Sequence, residues 1–318
     1  MGLKIIGTGK ALPRKAVSNN EIADILETSD EWITTRTGIR NRYVCTDEGL
    51  TDIAESSARV ALRKAGVEAG DIDLIICPTL AGDFVFPSLA CCLAERLGVK
   101  CPAFDVNAAC SGFVYGLEIA DALITAGRYG CILIVSADMM SRLVDWGDRA
   151  TCVLFGDGAG ACVVTQGDAI KYIKTDSYPN SEMLFAKNRN GNNPFTKSER
   201  GNGYVQMKGQ EVYEFAVKAV ASEISEALEK TGLSAEDVDH FVLHQANGRI
   251  VDSVRKRLKQ PIEKFPVNIH NYANTTAATI PILLDEMVNE GKVKKGDVLV
   301  MVGFGAGMTT GTCVMVWE

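Results

Sequence analysis

The hydrophobic positions of this chain follow two rhythms. Short runs such as Leu74-Ile-Ile-Cys-Pro78, Cys131-Ile-Leu-Ile-Val135 and Val298-Leu-Val-Met-Val302 carry no charged or amide residue, as strands covered on both faces do. Longer segments lie between them, with apolar residues returning every three or four positions, the period of a helix with one buried face. Strand and helix alternating in this way predict an α/β fold.

The order of elements repeats. One series runs from Asp73-Leu-Ile-Ile-Cys-Pro-Thr79 through a helix near 87–97 and Asn107-Ala-Ala-Cys110, which opens a second helix. It continues with Cys131–Asp138, Gly156-Asp-Gly-Ala-Gly160 and Ala161-Cys-Val-Val164. The other runs from Asp239-His-Phe-Val-Leu-His-Gln245 through a helix near 247–259 and a helix opened at Asn274, then Asp297–Val302, Gly303-Phe-Gly-Ala-Gly307 and Thr312–Val316. Asp73 and Asn107 lie 34 residues apart, Asp239 and Asn274 35 apart. Agreement over five elements predicts an internal duplication into halves 1–168 and 169–318. Asp176–Gly203 has no apolar period and reads as a loop excursion, either an exposed connector or a wall over a site. The two glycine triplets precede β-branched runs, which predicts tight turns between strands.

Charge and composition narrow the function. The 33 basic and 40 acidic residues give a net charge of −7 and a pI near 5.2, so nucleic acid and acidic membranes are disfavoured as partners. No apolar run approaches the roughly 18–20 residues of a spanning helix, and the first residues lack a signal peptide's apolar core, which predicts a cytoplasmic chain. Ten cysteines without a C-x-x-C pair indicate a reducing compartment and no structural zinc. His240 and His244 fall on one strand, about 13 Å apart at 3.3 Å per residue, too far to share a metal. Gly7-Thr-Gly9 is followed by Leu12-Pro13 where a dinucleotide fingerprint needs glycine and a helix, and the phosphate-loop and G-x-S-x-G patterns are absent.

Thiol chemistry remains. Cys110 lies in a small-residue turn feeding a helix, where free N–H groups and the helix dipole would lower a thiol pKa that starts near 8.5. Asn274 stands at the repeat-related helix opening and His244 at the related strand end, so the symmetry predicts that Cys, His and Asn meet at one centre.

These residues sit in motifs that resemble β-ketoacyl-acyl-carrier-protein synthase III over essentially the whole chain. The motifs are Thr28-Ser-Asp-Glu-Trp32 with Arg36-Thr-Gly-Ile-Arg40, Ala109-Cys110-x-Gly-Phe113, Gly156–Gly160, His244-Gln-Ala-Asn247-x-Arg249 and Tyr272-Ala-Asn274-Thr-Thr-Ala-Ala278. The resemblance implies a thiolase-like fold of five αβαβα layers, a homodimer, and catalysis by Cys110, His244 and Asn274 without metal or cofactor. Asn274 separates the chain from elongating synthases (Cys-His-His) and thiolases (Cys-His-Cys). The implied reaction transfers an acyl group from acyl-CoA to Cys110 and condenses it with malonyl-acyl-carrier protein, starting type II fatty-acid synthesis. Backbone N–H groups of Cys110, Gly305 and Ala306 would hold the oxyanion.

The resemblance further assigns Thr28, Trp32, Arg36, Arg149 and Asn247 to CoA. It turns the basic stretch of Arg249, Arg255, Lys256 and Arg257 toward an acidic carrier protein. Phe86 would cross the dimer and close the partner's acyl pocket, favouring a short primer such as acetyl-CoA. Two positions depart from the family: Ala306 replaces a glycine, and Thr310 replaces a common aromatic, which would reshape the pocket. A synthase III-like acyltransferase of secondary metabolism and a non-catalytic carrier-binding scaffold are the alternatives.

Overall fold

A computed structural model describes residues 2–188, 194–195 and 201–318. Its first sheet contains β1 (Gly2–Ala11), β4 (Leu74–Pro78), β5 (Ala103–Val106), β6 (Cys131–Met139) and β7 (Asp157–Gly167), in the order β1-β7-β6-β4-β5. The second contains β8 (Ile170–Asn180), β11 (His240–Leu243), β12 (Val298–Gly305) and β13 (Gly307–Val316), in the order β8-β13-β12-β11. Each sheet has an antiparallel first strand, an antiparallel hairpin and then a parallel strand. The second sheet ends where the first adds β5. Ribbons β2 (Lys15–Ser18) with β3 (Asn41–Val44) and β9 (Leu184–Ala186) with β10 (Val205–Met207) lie outside both sheets.

Side-chain alternation along the strands builds the layers. Leu74 and Ile76 of β4 pack inward with Val242 of β11 against α5 (Gly112–Thr125) and α9 (Thr279–Asn289), the two central helices. Ile75 and Cys77 face outward, onto α3 (Leu50–Ala65) and α4 (Leu89–Leu97). Phe241 and Leu243 face the other way, onto α6 (Gly209–Thr231) and α7 (Gly248–Leu258). Three apolar clusters, the central one filling both faces of the middle helix layer, join helix, sheet, helix, sheet and helix into the five-layered αβαβα thiolase-like fold. Each fully buried Leu or Ile in them contributes about 1.5–3 kcal/mol. Three short helices, α1 (Asn19–Ala23), α2 (Asp30–Thr37) and α8 (Ile269–Tyr272), pack near one end. They surround Arg42, which is wholly buried and bonds Asn19 and the Val153 carbonyl.

Three expectations need correction. Gly158 and Gly160 lie inside β7, not in a turn. A Cβ at Gly160 would stand 2.8 Å from the Ile282 nitrogen, so glycine there lets α9 press onto the strand. The polar stretch from Asp176 is not wholly a loop, since β8 continues to Asn180 by pairing with β13, and β9 forms a ribbon with β10. Backbone ladders at the sheet edge supply order that the side-chain pattern does not announce; 189–193 and 196–200 fall outside the described residues. Finally, the repeat matches Cys110 with Ala277, not with Asn274. Each lies in the middle of a 3₁₀ turn ahead of a central helix, after a residue at positive φ: Ala109 at 47° and Thr276 at 54°.

Candidate active site

Cys110 lies in the 3₁₀ turn Ala109–Ser111 at the N-terminus of α5 and is 7% exposed. Residues other than glycine and asparagine avoid positive φ, so the turn is strained and must be held from outside. Ser111 Oγ and Thr309 Oγ1, 2.7 Å apart, both bond the Ala108 carbonyl. Strand β12 approaches so closely that a Cβ at Gly305 would stand 2.5 Å from the Cys110 nitrogen, and one at Gly303 2.8 Å from the Ser111 Cα. The glycine triplet of the second half thus serves close approach of backbone to the thiol turn.

The thiol is not the pre-formed thiolate that its helix position suggested. Burial, followed by the nearby Asp138 carboxyl, pushes the Cys110 thiol well above its ordinary value. Desolvation of the charged form outweighs the dipole here. Asp138 is itself buried, with its pKa raised by burial to about 7, and is bonded by Thr276 Oγ1, Thr79 Oγ1 and the Leu80 N–H.

His244 follows β11, with its backbone N–H on the Val302 carbonyl at 2.9 Å. Its Nδ1 lies 2.6 Å from Thr279 Oγ1, and its ring meets Phe304 edge-on, centroids 5.0 Å apart. Burial depresses its pKa to about 3, which keeps the ring neutral. Asn274 bonds through its backbone to Leu154 and Gly156 of the first half. Its Oδ1 accepts the Thr276 N–H at 2.8 Å, which leaves Nδ2 as the donor. Cys110, His244 and Asn274 line one cavity of about 90 Å³ with Phe155, Met207, Phe304, Gly305 and Met308.

The other expected residues divide. Trp32 is half-buried beneath two guanidinium groups, Arg36 at 4.4 Å and Arg149 at 4.7 Å from the ring centroid. Arg149 also bonds the Glu27 carbonyl. Thr28 carries a buried hydroxyl without a partner. Asn247 lines the cavity, and its side chain also caps α7 through the Arg249 N–H and ties to the Arg36 carbonyl, so each of its polar groups already makes one bond. On α7, Asp252 pairs with Arg255 and Lys256. Arg249 lies against Tyr213. The basic face is therefore narrower than the sequence suggested, because a carboxylate one helical turn away neutralises part of it. Thr310 does not line the cavity: it is buried on the α6 side of β13 and bonds Glu223, while an irregularity of the strand between Gly307 and Thr309 lets Met308 reach the site. Phe86 is 84% exposed and outside this chain's cavity, in a run with Phe84 and Val85. Among the described residues no three His, Cys, Asp or Glu side chains gather to hold a metal ion, and no helix is long and apolar enough to cross a membrane.

Residues 104–179 match the family described as 3-oxoacyl-[acyl-carrier-protein] synthase III, and 228–317 match its C-terminal region. The chain is 45% identical to β-ketoacyl-[acyl-carrier-protein] synthase III of Clostridium perfringens over 98% of both chains. Its fold matches the crystal structure of the Aquifex aeolicus synthase III at a TM-score of 0.94 and 43% identity, covering 99% of this chain and 100% of that one. The priming β-ketosynthase of the R1128 polyketide pathway matches at 0.92 and 32%, covering 100% and 96%. With its cavity lined by Cys, His and Asn and its two sheets of like topology, the chain belongs to the β-ketoacyl-[acyl-carrier-protein] synthase III family, a family of condensing acyltransferases.

Proposed function

We propose that the enzyme condenses a short acyl-CoA with malonyl-acyl-carrier protein through an acyl-Cys110 intermediate, initiating fatty-acid synthesis. The observation that carries this reading is the convergence of Cys110, His244 and Asn274 on one small apolar cavity. Cys110 sulfur attacks the thioester carbon, the oxyanion rests on backbone N–H groups of Cys110 and of the Gly305-Ala306 turn, and CoA leaves as its thiol with the proton of Cys110. Malonyl-carrier protein then loses carbon dioxide, and the electron pair of the broken bond passes into a thioester enolate. Nε2–H of His244 and Nδ2–H of Asn274 donate to the enolate oxygen. The enolate carbon attacks acyl-Cys110, and sulfur leaves and regains a proton. No cofactor enters any step.

Adenine enters beside Trp32 by displacing a guanidinium that covers the ring, and Arg36 turns to phosphate. Arg249 and Arg257 receive the carrier protein, a reading supported by α7 beginning at the cavity rim. A homodimer forms across the free edge of β5, beside which Phe84–Phe86 are exposed; a chain with these partners works in the cytoplasm. Incubation with acetyl-CoA should add one acetyl group to the Cys110 peptide and block its alkylation by iodoacetamide. An unmodified peptide would refute the reading and leave a non-catalytic scaffold. The similarity to a polyketide priming synthase favours one second reading, the same chemistry on a dedicated carrier protein, which the preferred carrier distinguishes.

A further inference from the structure

His244 has two ring nitrogens and one fixed contact. Nδ1 meets Thr279 Oγ1 at 2.6 Å, so Nε2 is the nitrogen left for the cavity. The Thr279 oxygen already accepts the Gln245 N–H at 3.4 Å. The Thr276 carbonyl, 3.0 Å from that oxygen and within reach of its proton, also accepts the backbone N–H of Thr279. A neutral imidazole carries one proton, and the partner of one nitrogen decides whether the other is a donor or a lone pair. The hydroxyl has one proton and two acceptors in reach, the Thr276 carbonyl at 3.0 Å and Nδ1 at 2.6 Å; the carbonyl also takes the Thr279 N–H, and Nδ1 is the shorter contact, which favours it as the acceptor.

We propose that Thr279 is a positioning residue for condensation: its hydroxyl donates to His244 Nδ1 and thereby holds the ring proton on Nε2, facing the thioester oxygen. The inference rests on the decarboxylative reading of the site. Burial supports it, because a ring that stays uncharged must choose between tautomers. Without the hydroxyl, the tautomer with Nδ1–H becomes accessible and turns a lone pair toward the enolate oxygen, a repulsive contact.

The test uses Thr279→Val, which keeps the shape, and Thr279→Ser, which keeps the hydroxyl, in the full chain. Three readouts are acetylation of Cys110 by acetyl-CoA, decarboxylation of malonyl-carrier protein, and ¹⁵N resonances of labelled histidines. The protein has only three histidines, and His244→Ala identifies the relevant pair. Thr279→Val should acetylate within about twofold of wild type and lose decarboxylation by roughly tenfold or more, while Thr279→Ser stays near wild type. The wild-type spectrum should show Nε2–H, and the valine variant a shift toward Nδ1–H. Normal decarboxylation by Thr279→Val, with His244→Ala inactive, overturns the proposal and leaves the reading of the site intact. Normal decarboxylation by His244→Ala overturns that reading instead. Should the valine variant fail to acetylate, an Nδ1–H pattern in the wild type, or equal loss in the serine variant, still overturns the proposal.

Discussion

Asn107 and Asn274 occupy the same place in the two halves and bond in the same way. Each side-chain oxygen accepts the N–H two residues on, from Ala109 at 3.3 Å and from Thr276 at 2.8 Å. Each thereby braces a turn whose third position has positive φ. One copy of the device presents the Cys110 sulfur, and the other leaves the amide of Asn274 itself to the cavity. Two turns of like geometry thus bring a thiol and an amide to one cavity.

The arginine-covered indole sets one expected outcome. Trp32→Ala should raise KM for acetyl-CoA, since base stacking is worth about 1–3 kcal/mol, roughly 5- to 150-fold. A short acetyl thioester lacking the nucleotide should show no such change, and equal loss with both substrates in steady-state assays would contradict a nucleotide role.

On α7 the ion pairs divide the basic residues. Arg249→Glu should raise KM for malonyl-carrier protein and leave acetylation by acetyl-CoA near wild type, with added salt weakening the wild type in the same direction. Arg255→Glu should chiefly lower thermal stability, because it removes one of the two partners of Asp252 and a bond to the Gln260 carbonyl. A carrier KM unmoved by Arg249→Glu would place docking elsewhere.

For primer length, Phe86→Thr should shift preference toward longer acyl-CoAs, each methylene being worth about 1–3 kcal/mol in an apolar pocket. Competition among acetyl-, butyryl- and octanoyl-CoA reads it. A wild type that already prefers octanoyl-CoA would contradict closure by Phe86.

Asp138 gives a pH dependence with a definite sign. Burial raises its pKa from 3.8 to about 7, so the folded protein binds the extra proton in that window. The stability it contributes is full below about pH 3.8 and lost as pH rises to about 7. Asp138→Asn lacks this dependence, so the wild-type Tm minus the mutant Tm should fall between pH 4.5 and pH 8. His244 acts in the opposite direction in both proteins and cancels in the difference. A difference that rises with pH would contradict a raised pKa.

Sequence legibility followed the range of the signal. Two-sided apolar runs and their repetition disclosed both sheets, and the motifs around Cys110, His244 and Asn274 disclosed the residues of one cavity. Features that depend on a neighbour distant in sequence stayed hidden. β5 has no β-branched run and exists by pairing with β4. The rise in the Cys110 pKa comes from its cover and from Asp138, 28 positions away. Thr279 reads in sequence as one more threonine at the start of an apolar helix, and only its contact with His244 marks it. Glycine patterning did signal Gly303 and Gly305, but as turns, because a period in the chain cannot show what the bare backbone touches.

The central claim is that Cys110 carries the acyl group while His244 and Asn274 act on the malonyl enolate. Measuring the two half-reactions separately in Cys110→Ala, His244→Ala and Asn274→Ala tests it most directly. Loss of an oxyanion donor costs about 10² to 10³ in rate. Cys110→Ala should form no acetyl-enzyme, whereas His244→Ala and Asn274→Ala should acetylate Cys110 and fall by that factor in decarboxylating malonyl-carrier protein. Decarboxylation at the wild-type rate by Asn274→Ala would contradict the account.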